Sequence, residues 1–255
     1  MGLELMLGFD NKKESSHGVQ IGFKNESSYP HHVLQMGLYN KNSETGPNTS
    51  FVGVKVGVVN YDENSMWGAH VGLLSNTKQL RGLQLSVLNT SDEMYGIQAG
   101  ALSATFGYGV QAGFMNLSGE FTGLQAGVIN STFRILGNKG KSSGKVRGVQ
   151  VGAWNYARDL DGVQAGLVNY VKEELDGLQL GALNIAGDEF NGVQVGLVCY
   201  AANGNYLQLG LLTFRGGERD WYKKFSPIIG FSANGKKEEA KLPEPQGSTK
   251  HGTDL

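Results

Sequence analysis

The chain has 255 residues, 39 of them Gly and five Pro, a single Cys, and a formal net charge of −1. Glycine at about twice its usual share, without proline, excludes collagen and an ordinary disordered linker. The charge balance excludes the basic footprint of a nucleic-acid binder, and one cysteine excludes an intrachain disulfide framework or a multi-cysteine metal site. No apolar run approaches the ~18 residues of a membrane helix. The start, MGLELMLGFDN, shows neither a basic n-region nor a cleavage site, so the chain reads either as one kept in the cytoplasm or as one whose signal has been removed.

In chain order, LELMLGF (3–9) predicts an N-terminal capping strand, with 1–17 forming the cap and its loop. From 18 to 214 one phrase recurs: Gly-Φ-Gln-Φ-Gly-Φ-Φ-Asn, where Φ is apolar. Its central residue stands at Gln20, Gln35, Lys55, His70, Gln84, Gln98, Gln111, Gln125, Gln150, Gln164, Gln179, Gln194 and Gln208, thirteen copies in all. Most steps are 13 to 15 residues, and insertions at 41–52 and 131–147 lengthen two of them. Below, positions within a copy are counted from this anchor, so the glycines are at −2 and +2 and the Asn at +5. The second Gly is present in every copy but one, where Ser86 replaces it.

Each copy reads as a strand rather than a helix. Glycine at every fourth position would cost a soluble helix about 1 kcal/mol each, whereas alternation with period two places Val163, Ala165 and Leu167 on one face and Gly162, Gln164 and Gly166 on the other. The Asn that follows suits a turn, so Asn60, Asn89, Asn116, Asn130, Asn155, Asn169 and Asn184 are expected at one corner, their amides stacked along the axis. Five to seven mostly polar residues then lead to the next copy. An apolar residue such as Met66, Leu80, Phe121 or Leu160 recurs two positions before the next Gly and is expected to reach the core.

An array of this kind predicts an all-β parallel β-solenoid of about 13 coils. The alternative is an up-and-down transmembrane β-barrel, for which the apolar face is short and often has Ala at its centre. In the solenoid, Val, Ile, Leu and Ala are expected inside. Gln84, Gln98, Gln111, Gln125, Gln150, Gln164, Gln179 and Gln194 are expected outside, as a flat docking face flanked by glycine columns, with His70 and Lys55 tolerated there because the ladder meets solvent. Residues 215–233 are expected to cap the other end, with Trp221, Tyr222 and Phe225 folding over the core and SPIIGFSA adding a last strand. Residues 234–255 are charged and apolar-poor and read as a disordered tail.

The tandem phrase, closing with LQLGLLTFRGGERDWYKKFSPIIGF, resembles the spirochaete-type bacterial surface-repeat family over about residues 18–231. The resemblance implies a protein exported to, or displayed at, the cell surface, and supplies no catalytic residues.

The remaining chemistry-bearing residues read as structural. His17, His31 and His32 lack the Cys or carboxylate spacing of a metal site. Cys199 occupies an Asn slot far from any histidine base and reads as a buried thiol. The acidic connectors (Asp159, Asp161, Glu173, Glu174, Asp176, Asp188, Glu189) read as a solvated edge, since the G-G-x-G-x-D calcium signature is missing. The basic insertion STFRILGNKGKSSGKVR reads as a solubilising loop, and the Asn-x-Ser/Thr sequons at Asn25, Asn48, Asn89, Asn116 and Asn130 coincide largely with the repeat turns. The expectation is a non-enzymatic surface-displayed structural, adhesion or docking element with no cofactor and no metal. Its partner would be a protein, a polysaccharide or a second copy, with a membrane involved only if the chain is a barrel. A carbohydrate-active solenoid is the further alternative, although no connector is both long and acid-rich.

Overall fold

The structure, a computed structural model, describes residues 4–43, 50–132, 144–216 and 225–233. The chain folds as a parallel β-solenoid of about 12 turns, with no helix among the described residues. Its strands are β1 (Glu4–Asn42), β2 (Ser50–Thr132), β3 (Lys145–Ala157), β4 (Asp159–Val171), β5 (Glu174–Ala186), β6 (Glu189–Ala201), β7 (Gly204–Arg215) and β8 (Phe225–Ala233). They form one sheet in chain order. β1 and β2 each run through several coils, because the chain stays extended as it rounds the corners.

Successive strands from β1 to β7 pair parallel. That excludes an up-and-down barrel, whose neighbours run antiparallel. The register places like on like: Gln164 pairs with Gln179, Gly166 with Gly181 and Asn169 with Asn184. The insertions leave it undisturbed, since Gln35 still pairs with Lys55 and Gln125 with Gln150. Within the insertions, 44–49 and 133–143 lie outside the described residues, as do Asn48, Trp221, Tyr222 and the tail 234–255, and the side chains of His17, His31 and His32 are not described.

The interior is the reverse of the expected one. Gln84, Gln98, Gln111, Gln125, Gln150, Gln164, Gln179 and Gln194 are all fully buried, whereas Leu167 is 64% exposed and Val163 and Ala165 are half-buried. Each coil is a flattened loop of two facing segments. The first, −4 to +2, turns an apolar residue, Gly, Gln and Gly inward; the second turns +5 and +7 inward. The glycines make this thin interior. A Cβ at Gly166 would stand 2.0 Å from the Gly152 carbonyl oxygen and 2.7 Å from Asn155 Nδ2. Gly162 has φ 145°, closed to most side chains, and its Cβ would lie 2.0 Å from the Gly148 oxygen. With no side chain on either side of it, a Gln lies flat between the two walls, and Val or Leu has to face out.

Apolar burial comes from the −4 column, as expected: Phe51, Met66, Leu80, Met94 and Phe121 form one cluster, and Val146, Leu160, Leu175 and Phe190 another. The +7 column joins the second cluster with Ala157, Val171, Ala186 and Ala201. In the earlier coils +7 is polar (Asp62, Thr77, Ser91, Thr105, Ser118, Thr132), so the core becomes drier toward the C-terminal end.

Chain extends the array at both ends. SPIIGFSA forms β8, antiparallel to β7, with the Phe225 ring 5.7 Å from that of Phe214. At the other end the expected capping strand is a degenerate extra coil. Asn11 donates to Asn25 Oδ1 at 2.8 Å, and Gln20 Nε2 lies 3.8 Å from the Met6 sulfur. Met6 therefore holds the anchor position, Gly8 the +2 position and Asn11 the +5 position of a copy that lacks its Gln.

Candidate functional site

Two polar ladders run through the interior in opposite senses. Where successive rungs are both Gln, the later donates Nε2 to the Oε1 of the earlier: Gln164 to Gln150 at 2.7 Å, Gln179 to Gln164 at 2.9 Å, Gln194 to Gln179 at 2.6 Å. The second amide hydrogen of Gln98 goes to Ser91 Oγ and that of Gln125 to Ser118 Oγ, both in the +7 column of the preceding coil. Where +7 is Ala, the main-chain oxygen at +6 accepts it instead, as Tyr200 does from Gln194 at 3.1 Å. The Asn ladder donates the other way. Asn155 Nδ2 gives to Asn169 Oδ1 and Asn169 to Asn184, each at 2.8 Å, while Ala165 O and Leu180 O take the second hydrogens. The axial stacking of the Asn amides is thus present, but inside the coil rather than on its surface. Buried amides satisfied on both sides avoid the desolvation penalty of an unpaired polar group and fix the register.

Lys55 and His70 interrupt the Gln ladder, and they too are buried, not solvent-facing. Asp62, at +7, makes this tenable. Its carboxylate pairs with Lys55 Nζ, which also donates to Tyr61 O at 3.1 Å, and lies 2.7 Å from His70 Nε2. Burial pushes the Asp62 carboxyl up, but Lys55 and then His70 outweigh it and hold the group below the usual range. For His70 burial prevails and keeps the imidazole below its ordinary pKa, so it is neutral at pH 7. Gln35 Oε1 and Gln84 Nε2, which flank the break, have no hydrogen-bond partner. A Lys–Asp–His group resembles catalytic machinery, yet all three side chains are sealed from solvent, and a substrate has no route to them. The group is a structural replacement for two rungs.

Cys199 is buried and free in the Asn column. It receives Asn184 Nδ2 at 3.8 Å, and burial raises its thiol pKa, so it is no activated nucleophile. Among the described residues no His, Cys, Asp and Glu cluster could hold a metal ion.

What the coil offers to a partner is its outside. Positions −1, +1, +3 and +4 all face outward. In the thirteen anchored copies the first three are apolar without exception, and at +4 only Lys24 and Tyr39 are polar. Stacked in register, they form a band along the whole rod that wraps from one flat face round the +3/+4 edge to the other. The edge is its most open part: Leu167 at 64%, Leu211 at 66% and Trp154 at 52% exposure. Sequence reasoning placed these residues in the core and so missed the band.

The opposite edge carries the charges, with Arg158 and Glu173 paired at 2.7 Å. One cleft of about 480 Å³ opens there, beside Tyr95, Tyr108, Glu93, Glu120 and Arg147. It arises where a short 13-residue step places Gly107 in the −4 column between Met94 and Phe121, leaving a gap in the row of side chains. The Tyr95 and Tyr108 rings stack at 5.4 Å, and the Arg81 guanidinium bridges Trp67 and Tyr95. Comparison of the chain with protein families, with curated proteins and with solved structures finds no match.

Proposed function

We propose that the protein is a non-enzymatic rod, displayed at the cell surface, that acts as a structural or docking element through its outer apolar band. The band itself carries this reading. Twelve steps of about 4.8 Å give it a length of roughly 58 Å, and the eight residues from −2 to +5, seven steps, a width of roughly 23 Å. About 1,300 Å² of contiguous apolar surface follows, well above the 300–600 Å² of the largest patch on a typical soluble monomer. The resemblance of the repeat to bacterial surface-repeat proteins supports display at the surface. The sealed Lys55–Asp62–His70 group and the unactivated Cys199 supply no reactive centre.

Size-exclusion chromatography with light scattering tests it. The parent chain is expected to need a cover (detergent, lipid or a second copy) to stay monodisperse. A variant carrying Leu73→Glu, Phe114→Glu, Leu167→Glu and Leu197→Glu, all in the +3 column and at least two coils apart, is expected to run as a rod-shaped monomer in plain buffer. A parent that is already a monodisperse monomer in plain buffer would sink the reading.

A further inference from the structure

We propose that the occupant of the band is a lipid bilayer, with the rod lying in the membrane plane and its +3/+4 edge immersed in the interface. The inference rests on the docking reading above and names the partner. Four observations favour lipid over a second copy or another protein.

The first is area against shape. The band wraps round an edge, and the flat face from −2 to +2 offers only about 13 Å by 58 Å, roughly 750 Å². A second copy would reach the ~800 Å² per partner of a standard interface only by covering that face from end to end, and would still leave the +3 and +4 columns bare. Hydrocarbon covers a convex ridge from both sides at once. The second is composition. The band is mostly Val, Leu, Ile and Ala, with Phe23, Tyr39, Phe114 and Trp154 its only aromatic side chains in the thirteen copies, whereas protein interfaces concentrate Trp, Tyr and Arg anchors in pockets. The third is its margins. Tyr61, Tyr156, Tyr170 and Tyr200 occupy +6 on one side, and Trp67, Tyr95 and Tyr108 occupy −3 on the other. All seven are half-buried or exposed, and aromatic side chains with a polar end suit the headgroup level. The fourth is charge. Apart from Lys24 at +4, charged side chains begin only at those margins (Arg81, Arg147, Asp161 and Asp176 at −3, Glu26 and Lys41 at +6) and continue in the connectors, which would remain in water. The +6 margin lies two residues from the edge, roughly 7 Å, within the 5–10 Å depth of interfacial segments; the −3 margin lies six residues away, roughly 20 Å, so the −2 to +2 face leans onto the membrane.

Since the band carries no cluster of cations, attachment is expected to be insensitive to lipid charge and to salt. The experiment uses the full chain and vesicles of phosphatidylcholine. The protein should float with the vesicles equally at about 50 mM and 500 mM salt. In a background with Trp67→Phe and Trp221→Phe, brominated lipid should quench Trp154. A tryptophan placed instead by Lys172→Trp, with Trp154→Phe added, should not be quenched. The four-site Glu variant should lose at least tenfold in vesicle affinity with an unchanged urea midpoint. Binding only to anionic vesicles, or an unquenched Trp154, would overturn the proposal. If the parent does not float but forms a defined oligomer that shields Trp154, docking stands and lipid falls. If it neither floats nor associates, both fall.

Discussion

The hydroxyls of Ser75 and Ser86 lie 2.5 Å apart inside the solenoid, at the one place where both consensus residues of a contact are replaced. In most coils a +5 Asn reaches over the +2 Gly of the next coil, as Asn155 does over Gly166. Ser75 stands in the Asn column and Ser86 in the Gly column that follows it. The shorter +5 side chain leaves room for the longer +2 side chain, and the two share a hydrogen bond. Ser75→Asn alone drives an amide into Ser86 and is expected to cost about 1–3 kcal/mol. Ser86→Gly alone strands a buried hydroxyl, at about 1–3 kcal/mol. The double substitution restores the consensus pair and should recover most of both losses. Urea unfolding of the four proteins gives the coupling, expected to exceed about 1 kcal/mol; additive losses would show that the residues do not act together.

Burial of the Gln ladder sets the outcome of charging it. Gln164→Lys places an ammonium where +7 is Val171 and no acid is near. An uncompensated buried charge costs about 3–5 kcal/mol, enough to unfold many domains. Lys55 is tolerated at the equivalent position because Asp62 lies seven residues on. Adding Val171→Asp to Gln164→Lys is therefore expected to restore part of the loss, read as a rise in melting temperature by circular dichroism. A single Lys variant as stable as the parent would mean that the ladder faces solvent.

Much of the architecture was legible in the sequence. Thirteen copies in step predicted stacked coils, the −4 apolar residues predicted a buried column, and SPIIGFSA predicted the closing strand. The inside-out assignment was not legible from alternation alone, because a period of two says which residues share a face and not which face is covered. Ranking by hydrophobicity then places Val163 and Leu167 inside. The steric argument goes the other way: paired glycines close the coil until only a flat amide fits. Two sequence signals pointed there. Lys55 and His70 depart from Gln around the one Asp in the +7 column, and Ser75 and Ser86 change together. The copy built on Met6 escaped notice because a thioether replaced its anchor amide.

Acid should weaken the fold through the buried charge group. His70 is held neutral, with a folded pKa below its unfolded value of about 6.5. Its contribution is present above about pH 6.5 and is lost as pH falls toward the folded pKa, because only the unfolded chain takes up the proton. Asp62, also depressed in the folded state, adds a second loss below about pH 4. Urea midpoints measured from pH 8 to pH 3 should fall in both windows. His70→Gln should flatten the upper window relative to the parent and leave the lower one. An identical slope in that variant between pH 7 and pH 5 would refute the assignment to His70.

Cys199 gives the cleanest test of how strictly the +5 column needs an amide. Asn184 donates to its sulfur at 3.8 Å, and the thiol lies 3.9 Å from Leu209 O; these are the partners that neighbouring rungs hold with true amide bonds at 2.8 to 3.0 Å. Gly210 leaves the space, since a Cβ there would be 3.4 Å from the sulfur. Cys199→Asn should therefore complete the ladder, replacing two weak sulfur contacts by two amide bonds at a net gain of about 1 kcal/mol each. Cys199→Ala leaves the Asn184 amide without its axial acceptor and should destabilise by about 1–3 kcal/mol. Thermal unfolding should rank the variants Asn above Cys above Ala. A chain in which Ala equals Cys would show that the corner is held by packing and not by the ladder.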